Sequence, residues 1–448
     1  MTSSTQDLAA SVARAARACV ADDRRIAIAL SGGRDSMVLL HALHAACAGA
    51  AATLRAVHVH HGLSPNADAW VAFCQQACDA LGVPLEVKRV QVTRSPGQSI
   101  EAQARERRFQ ALLAVDADIV ALAHHADDQA ETLLLQLLRG SGPHGLAAMP
   151  MRRMRGGIVL ARPFLKLEAA ALAAYAHEHA LQWIDDESNA DARYRRNALR
   201  HRVMPLLREI APDYPATLAR AAQHQSEAAE LLDELAAIDA QPLLEHDAML
   251  GLCLDAAGLR LLHASQPARA RNVMRWFLRE RGLRAPSTAR LAQMLAQCAT
   301  ERPDAKIAIR HDGAQLALHA ERIVVHGGVR SRPFSLPWHG EAAVQCPGGI
   351  MHARRALGAG IAATLVERGE LRVTSRAGGE RLRVARDRPR QAVSALFNRR
   401  RIPLWQRGAW PLIWRGDVLV AVPHFGVDPA YAAAPDAPGY ALAWQPRA

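Results

Sequence analysis

Short apolar runs alternate with longer amphipathic runs over residues 25–140. The short runs are typical of strands, and the amphipathic runs repeat with the period of a helix. The predicted strands are 25–30, 54–60, 85–92 and 118–125, and the predicted helices are 36–48, 66–81, 99–115 and 127–139. Strands that alternate with helices of this length predict parallel βαβ units in a doubly wound, mostly parallel sheet. Ligands of such sheets bind outside the carboxyl ends of the strands, so polar residues at those ends are the first candidates for a site.

Two outer domains follow from the pattern on either side of the middle of the chain. A strand-like run at 157–165 and a helix near 168–180 extend the first domain, which we predict to span residues 1–210. The stretch 326–340 is rich in glycine and proline and is predicted to be a linker. Short strands mixed with turns then predict a small α+β domain over residues 329–448.

The middle of the chain has a different texture. Residues 217–241 and 265–300 predict helices without intervening strands. Residues 305–325 predict a hairpin that turns at His-Asp-Gly. The middle domain, predicted to span residues 211–328, is therefore expected to be mainly helical.

Composition is that of a soluble globular protein of more than one domain. Half of the 448 residues are hydrophobic and 22% are charged. No apolar stretch of about 18 residues is present, and the N-terminal segment lacks the apolar core and cleavage site of a signal peptide. Seven scattered cysteines predict no disulfide framework and fit a reducing compartment. We therefore expect a cytoplasmic protein with no membrane partner.

The net charge favours a polyanionic partner. Lysine and arginine outnumber aspartate and glutamate by 55 to 43, which gives a net charge of +12. A surplus of this size favours binding to RNA, DNA or an anionic membrane, and it does not choose among them. A GC-rich genome would also produce the excess of arginine over lysine, without functional meaning.

The stretch ALSGGRDSMVLL, residues 29–40, predicts a phosphate-binding loop. Ser31, Gly32 and Gly33 let the backbone turn sharply after the first strand, and the N-terminus of the next helix supplies free amides and a positive dipole end. Ser36 can add a hydroxyl, and Asp35 suggests a Mg²⁺ between carboxylate and phosphate. The alternative is a plain strand–turn–helix with a capping residue. The chain has no GxxxxGK[ST] and no GxGxxG directly after a predicted strand, which disfavours a P-loop NTPase or a dehydrogenase.

A second constellation follows the fourth predicted strand. His124 and His125 end that strand, and Asp127, Asp128 and Glu131 lie on the next helix. Asp128 and Glu131 are spaced i,i+3, so both carboxylates can meet one cation, which could be an ammonium or a metal. The alternative is that acids simply favour the first turn of a helix.

Two arginines on the preceding predicted helix complete the candidate site. Arg105 and Arg108 are spaced i,i+3 and share one face of the helix over 99–115. A solvated surface is the alternative interpretation of this pair.

These motifs resemble those of a known family. SGGxDS after the first strand is similar to the pyrophosphate loop of the N-type ATP pyrophosphatases. LAHHADDQAETLLLQLLRGSG (122–142), WIDDESNADARYRRNALRHRVMPLL (183–207) and LFNRRRIPLWQRGAWPLIWRGDVLVAVP (396–423) resemble the tRNA(Ile)-lysidine synthetases within that superfamily. Arg34 departs from the usual apolar residue of the loop, and residues 391–397 lack the lysines that relatives carry there.

The resemblance implies an activity. Such enzymes use ATP to adenylate the wobble cytidine of a tRNA(Ile) with a CAU anticodon and then join L-lysine to carbon 2, releasing AMP and pyrophosphate. ATP and Mg²⁺ are the implied cofactors, and the oligomeric state, a homodimer included, stays open.

The resemblance also implies roles for individual residues. ATP would be bound by Ser31, Gly32, Gly33, Arg34, Asp35 and Ser36. Catalysis would use Asp35, Arg105, Arg108, Asp128 and Glu131, with Asp128 and Glu131 also binding the lysine ammonium. The tRNA would be bound by arginines of the last domain, namely Arg376, Arg381, Arg383, Arg386, Arg399 and Arg400. Metal ligands beyond Asp35 are not identified.

Three other functions fit parts of the sequence. An RNA thiolase shares the loop but commonly uses a cysteine pair, and no CxxC is present. A metallohydrolase would use His124, His125, Asp127 and Asp128 as ligands, and it leaves the loop unexplained. A non-catalytic RNA-binding protein would account for the charge alone.

Overall fold

The computed structural model describes residues 5–20, 24–62, 64–91, 100–185, 195–247, 249–298, 308–327 and 333–446. Contacts divide the chain into two units, Met1–Leu231 and Leu232–Ala448. The predicted limit between residues 328 and 329 lies outside the described residues, and the three predicted domain ranges stay predictions. No helix of the described part is long and apolar enough to cross a membrane.

The first unit is built on a six-stranded sheet. Its strands are β1 (Arg25–Ala29), β2 (Thr53–His60), β3 (Leu85–Arg89), β4 (Ile119–Ala121), β5 (Arg152–Arg155) and β6 (Ile158–Ala161). They lie in the order β3-β2-β1-β4-β6-β5, and every neighbouring pair is parallel except β5 with β6. The predicted mostly parallel sheet is confirmed. The strand order runs in one direction from β1 to β3 and in the other direction from β4 onward. Sheets of this kind bind ligands at the point of reversal, beyond the carboxyl ends of β1 and β4.

Helices cover both faces of this sheet. The helices of the first unit are α1 (Thr5–Arg17), α2 (Arg34–Cys47), α3 (Ala67–Ala80), α4 (Ile100–Leu113), α5 (Ala126–Leu137), α6 (Pro143–Leu146), α7 (Ala169–Glu178), α8 (Arg195–Ala198) and α9 (Met204–Ile210), with a π-helical turn at Leu199–Val203 between the last two. Side chains of β1 alternate between two cores. Ile26 and Ile28 pack with α1, α2 and α7, whereas Ala27 and Ala29 pack on the opposite face with Leu112 of α4. The doubly wound arrangement is therefore confirmed.

The second unit begins within a long helix and contains a five-stranded sheet. Helix α10 (Tyr214–Ala240) runs across the boundary between the units. The sheet is ordered β7-β8-β11-β10-β9, with α11 (Ala256–Ser265), α12 (Pro267–Glu280) and α13 (Thr288–Cys298) beside it. Its strands are β7 (Leu244–Asp247), β8 (Gly251–Asp255), β9 (Ala308–His311), β10 (Ala314–His319) and β11 (Arg322–His326).

The expectation of helices without intervening strands was wrong. Strands β7 and β8 lie between the helices predicted at 217–241 and 265–300. β7 is an edge strand with Glu245 and His246 exposed, so it has no apolar run to reveal it. The predicted hairpin is confirmed, because Asp312 and Gly313 both have positive φ between β9 and β10.

Short strands dominate the C-terminal part of the second unit. They are β12 (Ser335–Trp338), β13 (Ala343–Cys346), β14 (Gly349–Leu357), β15 (Ile361–Ala362), β16 (Leu371–Thr374), β17 (Arg381–Leu382), β18 (Gln391–Ala392), β19 (Leu412–Arg415), β20 (Val418–Val422), β21 (Gly426–Val427) and β22 (Pro438–Pro446). Helices α14 (Ala363–Glu367), α15 (Val393–Arg399) and α16 (Leu404–Arg407) join them. Their core is built on buried aromatic side chains, including Trp338, Phe397 and Trp410.

Candidate functional site

The loop between β1 and α2 requires glycine at its tightest point. Gly32 has φ +88°, a conformation that side-chain-bearing residues rarely adopt. A Cβ at this position would lie 2.8 Å from Cδ1 of Ile184 and 3.2 Å from Sγ of Cys74. The backbone at Gly32 therefore packs directly against Ile184 and Cys74, and there is no room for a side chain.

Ser36 closes this loop from the first turn of α2. The amides of Ser31 and Gly32 each donate to Oγ of Ser36 at 3.2 Å, and that hydroxyl donates to the carbonyl of Gly33 at 2.8 Å. We expected the Ser36 hydroxyl to face a ligand, and in this structure it organises the loop. The result is a rigid turn at the N-terminus of a helix, which is a favourable place for an anion.

Asp35 joins the loop to the fourth strand. Its Oδ1 accepts a hydrogen bond from Nε of Arg34 at 3.0 Å, and its Oδ2 lies 3.5 Å from Nε2 of His125. Burial by itself would raise the pKa of Asp35, but His125 and Arg34 lower it. Asp35 is thus a carboxylate in the folded protein, and Arg34 has a partner within the loop.

His125 carries a positive charge among three carboxylates. Its Nδ1 lies 3.4 Å from Asp127, and its Nε2 lies 3.5 Å from both Asp35 and Asp128. Burial opposes the charged form, but the nearby carboxylates of Asp127, Asp35 and Asp128 outweigh it and raise the pKa of His125 to about 10. One buried imidazolium therefore links the phosphate-loop candidate to the acids of α5.

Asp128 and Glu131 lie side by side on the buried face of α5, as their spacing predicted. Glu131 is 1% exposed and Asp128 is 9% exposed. Both already have cationic partners, which the spacing did not predict. Arg196 donates to Asp128 at 2.9 Å and to Glu131 at 2.7 Å, and Arg200 donates to the same two carboxylates at 3.2 Å and 2.6 Å.

Sequence reasoning missed these two arginines as part of the site. Arg196 is on α8, and Arg200 is in the π-helical turn that follows it. Both fall in the segment 183–207, which was noticed for its resemblance alone, and residues 186–194 of it lie outside the described residues. One signal in the sequence could have found them. The arginines at 195, 196, 200 and 202 are a cluster of positive charge that could have been matched to the acids at the start of α5.

Asp127 has a structural role. Its Oδ2 accepts from the amide of Ala169 at the start of α7 at 2.9 Å, and its Oδ1 accepts from Arg208 at 3.0 Å. Burial would raise the pKa of Asp127, but His125 and the Ala169 amide lower it to about 2. It therefore ties α5, α7 and α9 together.

Arg108 and His124 lie on the face of the sheet that α4 covers. Arg108 lines a cavity at the carboxyl ends of β1 and β2, together with Ser31 of the loop and His58, His60 and His61. Burial lowers the pKa of His124, Asp128 opposes the shift, and the positive charges of Arg162, Arg196 and Arg108 add to it. The predicted partner Arg105 lies over the ring of Phe109, 5.4 Å from its centroid.

The six predicted RNA-binding arginines differ in their surroundings. Arg381, Arg383, Arg386, Arg399 and Arg400 are exposed. Arg376 is partly buried, donates to Glu380 at 2.9 Å and stacks over Phe397. Its guanidinium therefore already has partners inside the C-terminal part of the chain.

The alternative functions find little support in this geometry. Both ring nitrogens of His125 face carboxylates, at 3.4 Å for Asp127 and 3.5 Å for Asp35 and Asp128. Within the described part of the chain no three His, Cys, Asp or Glu residues are grouped as a metal site. All seven cysteines are free, and burial raises the pKa of Cys74 to about 12 and of Cys78 to about 11, which disfavours sulfur transfer through a thiolate.

Comparison with known families covers most of the chain. A PP-loop domain matches residues 4–207, a TilS substrate binding domain matches residues 254–324, and a TilS substrate C-terminal domain matches residues 371–444. The tRNA(Ile)-lysidine synthase of Nitrosomonas europaea is 39% identical over 443 residues, covering 96% of this chain and 94% of that protein. The tRNA(Ile)-lysidine synthase of Burkholderia pseudomallei is 40% identical over 472 residues, with coverage of 95% and 94%. Identity of this extent over nearly the full length of both proteins shows that the chain belongs to the tRNA(Ile)-lysidine synthase family.

Proposed function

We propose that this chain ligates L-lysine to carbon 2 of the wobble cytidine of a tRNA(Ile) with a CAU anticodon, through an adenylated cytidine, with ATP converted to AMP and pyrophosphate. Membership of the family supports the reaction. One observation supports assigning the reaction to the residues described above. The imidazole of His125 lies 3.5 Å both from Asp35, in the loop suited to polyphosphate, and from Asp128, one of the carboxylates suited to an amine. Two substrates held at those places would have their reacting ends along one edge of the sheet.

ATP would bind at the loop between β1 and α2. The N-terminus of α2, with its positive dipole end, favours the phosphates. The cavity beside Ser31 has apolar walls from Val57, Val59 and Leu112, which suits a flat base. We infer that the nucleoside occupies this cavity and the phosphates occupy the turn.

Asp35 would hold a magnesium ion with the phosphates. Its carboxylate is ionised, as the lowered pKa indicates, and Mg²⁺ in nucleotide sites needs only one or two protein carboxylates. When bound, the ion would neutralise charge on the departing pyrophosphate. The imidazolium of His125 already holds Asp35 toward α5, so the chain itself orients this ligand.

Adenylation needs positive charge near the α-phosphate. Arg108 lines the cavity next to Ser31, and Arg105 is one turn earlier on α4. Both side chains are exposed, and guanidinium groups placed beside the α-phosphate would stabilise the charge that develops as oxygen attacks phosphorus. Positioning of the cytidine by the RNA-binding surface would supply the rest of the rate enhancement.

The lysine ammonium would bind at Asp128 and Glu131. Each of the four carboxylate oxygens already accepts at least one hydrogen bond, from Arg196, Arg200 or the His125 amide. The incoming amine must therefore share these oxygens or displace an arginine. A carboxylate that releases a guanidinium is then free to take a proton from the amine as attack on carbon 2 begins.

The exposed arginines of the C-terminal part would bind the tRNA backbone. Arg381, Arg383 and Arg386 lie on or beside β17, and Arg399 and Arg400 lie at the end of α15. Phosphate contacts of this kind give affinity that falls with salt. Because Arg376 already contacts Glu380 and Phe397, we infer that it holds this surface in shape and does not itself contact the tRNA.

Labelled lysine tests the proposed reaction. The purified protein is incubated with ATP, Mg²⁺, radiolabelled lysine and transcripts of tRNA(Ile) with a CAU anticodon or, as the matched control, a UAU anticodon. We expect label in the CAU transcript alone, with AMP and pyrophosphate formed in equal amounts. Absence of label, with AMP release that does not depend on lysine, would contradict the proposal.

A further inference from the structure

Arg162 is a buried cation with no anionic partner among the described residues. It directly follows β6 and is 6% exposed. Its Nη1 donates to the carbonyl of Pro150 at 2.8 Å, and its buried Nε has no hydrogen-bond partner among the described residues. Buried charges are normally paired, so an orphaned guanidinium of this kind calls for an explanation.

The charged neighbours of Arg162 are also cations. Burial first, and then the positive charges of Arg153 and Arg105, lower the pKa of Arg162 to about 10. Arg153 pairs with Leu160 in the hairpin of β5 and β6, and Leu160 belongs to the core on the α4 face, so Arg153 faces the same side as α4. Arg153 and Arg162 therefore share one face of the hairpin with Arg155, whose guanidinium lies 3.8 Å from the carboxylate of Glu106 on α4.

A purely structural role does not account for Arg162. A single hydrogen bond to the carbonyl of Pro150 could be made by a neutral amide, without the expense of burying a charge. Edge strands often carry charged side chains that prevent aggregation, and this explains exposed arginines on β5 but not the buried one after β6. The arrangement is instead that of a site awaiting an anion that accepts from guanidinium groups.

The site lies beside the catalytic edge but away from the phosphate loop. Arg162 influences the pKa of His124, which adjoins the acids of α5. In the sheet, β4 separates β6 from β1, so the carboxyl ends of β6 and β1 are about 10 Å apart. A phosphate group is the chemistry that the arginines fit, and its source is either ATP or the RNA strand.

We propose that Arg162 and Arg153, with Arg105 beside them, form a second phosphate site, and that it takes a phosphodiester of the RNA strand that carries the base being modified. The RNA is favoured because the polyphosphate of ATP has its own turn at β1. This inference rests on the proposed function, since it assumes that an RNA strand reaches this edge. Contacts of this kind position a strand without reading its sequence.

Four single variants test the site. Arg153→Gln removes an exposed arginine of the site. Arg162→Gln removes both the buried guanidinium and its positive charge, whereas Arg162→Lys removes the guanidinium but keeps a positive charge. Arg152→Gln is the matched control, because Arg152 is the next residue on the same strand, is also exposed and pairs with Ala161 on the opposite face. The measurements are tRNA affinity as a function of salt, ATP affinity without tRNA, and thermal unfolding.

We expect Arg153→Gln to weaken tRNA binding about fivefold and to lower the slope of log affinity against log salt by about one. Arg162→Gln should lower affinity at least as much, with partial recovery in Arg162→Lys. Arg152→Gln should leave the slope closer to that of the parent, and ATP affinity should not change in any variant.

Two results would overturn the assignment. Unchanged tRNA affinity in Arg153→Gln would do so, and that variant keeps the test valid even if the Arg162 variants unfold. Reduced ATP affinity with unchanged tRNA affinity would assign the phosphate to the nucleotide instead. Lysine incorporation by the parent enzyme distinguishes this failure from failure of the proposed function, because the parent stays active if only the second phosphate site is wrong.

Discussion

Arginines serve opposite purposes at the two ends of this chain. At α5, Arg196 and Arg200 are bound to two buried carboxylates through several short contacts. On β17 and the turn that follows it, Arg381, Arg383 and Arg386 are exposed. The first group fixes charges in place within a low-dielectric site, whereas the second remains available to a partner that brings its own negative charge.

The difference predicts how each region responds to substitution. Removing one member of a buried network leaves the others unpaired, so single changes have large effects that do not add. Exposed cations contribute small and nearly independent amounts that salt screens. The following predictions test this contrast, from the largest effect to the smallest.

Replacement of Asp35 should have the largest effect. Asp35→Ala removes the loop carboxylate that faces His125, and we expect turnover of labelled lysine into tRNA to fall about 100- to 1,000-fold. Asp116→Ala is the control, because Asp116 is an exposed acid of the same unit. Turnover at the parent rate by a folded Asp35→Ala protein would remove the loop from the mechanism.

Glu131→Gln should separate the two half-reactions. The amide keeps the volume of the side chain but not its charge, so lysine transfer should fall about 100-fold while adenylation of the RNA and pyrophosphate release continue. Loss of charge beside Arg196 and Arg200 should also destabilise the fold by about 2 kcal/mol. Glu178→Gln, an exposed change on α7, is the control for both measurements. Equal loss of both half-reactions would show that Glu131 does not act on the amine alone.

The sequence predicted the strands and helices around this site better than the side-chain contacts within it. Strands β1 to β3 and helices α2, α3 and α5 lie within about three residues of their predicted limits, because each follows a simple apolar period. β5 has no such period, since all four of its residues are exposed. The contacts from Arg196 and Arg200 to α5 join residues 65 to 72 positions apart, and no local pattern encodes a pairing over that separation.

Substitution of the exposed arginines should weaken RNA binding without touching chemistry. In the triple variant Arg381→Gln, Arg383→Gln and Arg386→Gln, we expect tRNA affinity to fall about tenfold, with a salt slope smaller by two to three. The value of kcat at saturating tRNA and the affinity for ATP should stay unchanged. The double variant Arg14→Gln and Arg17→Gln removes exposed charge from α1 as a control. A drop in kcat at saturating tRNA would show that these arginines contribute to the chemical steps as well as to binding.

His125 should give the protein a modest dependence on alkaline pH. Its pKa is about 10 in the folded protein against 6.5 in the reference state, so the stability it contributes is fully present below about pH 6.5 and is lost as the pH rises through 10. We expect the free energy of unfolding, measured by denaturant without nucleotide or metal, to decline between pH 7 and pH 10. The decline should be weaker in His125→Gln. Parallel declines in parent and variant would assign the pH dependence to other groups.

A structure with a non-hydrolysable ATP analogue and L-lysine bound together tests the central claim most directly. We predict phosphates on the turn formed by residues 31–36, and the lysine Nζ about 2.8 Å from oxygens of Asp128 or Glu131, with Arg196 or Arg200 moved from its place. A nucleotide bound away from that turn, or lysine bound elsewhere while both arginines stay on the two carboxylates, would contradict the account.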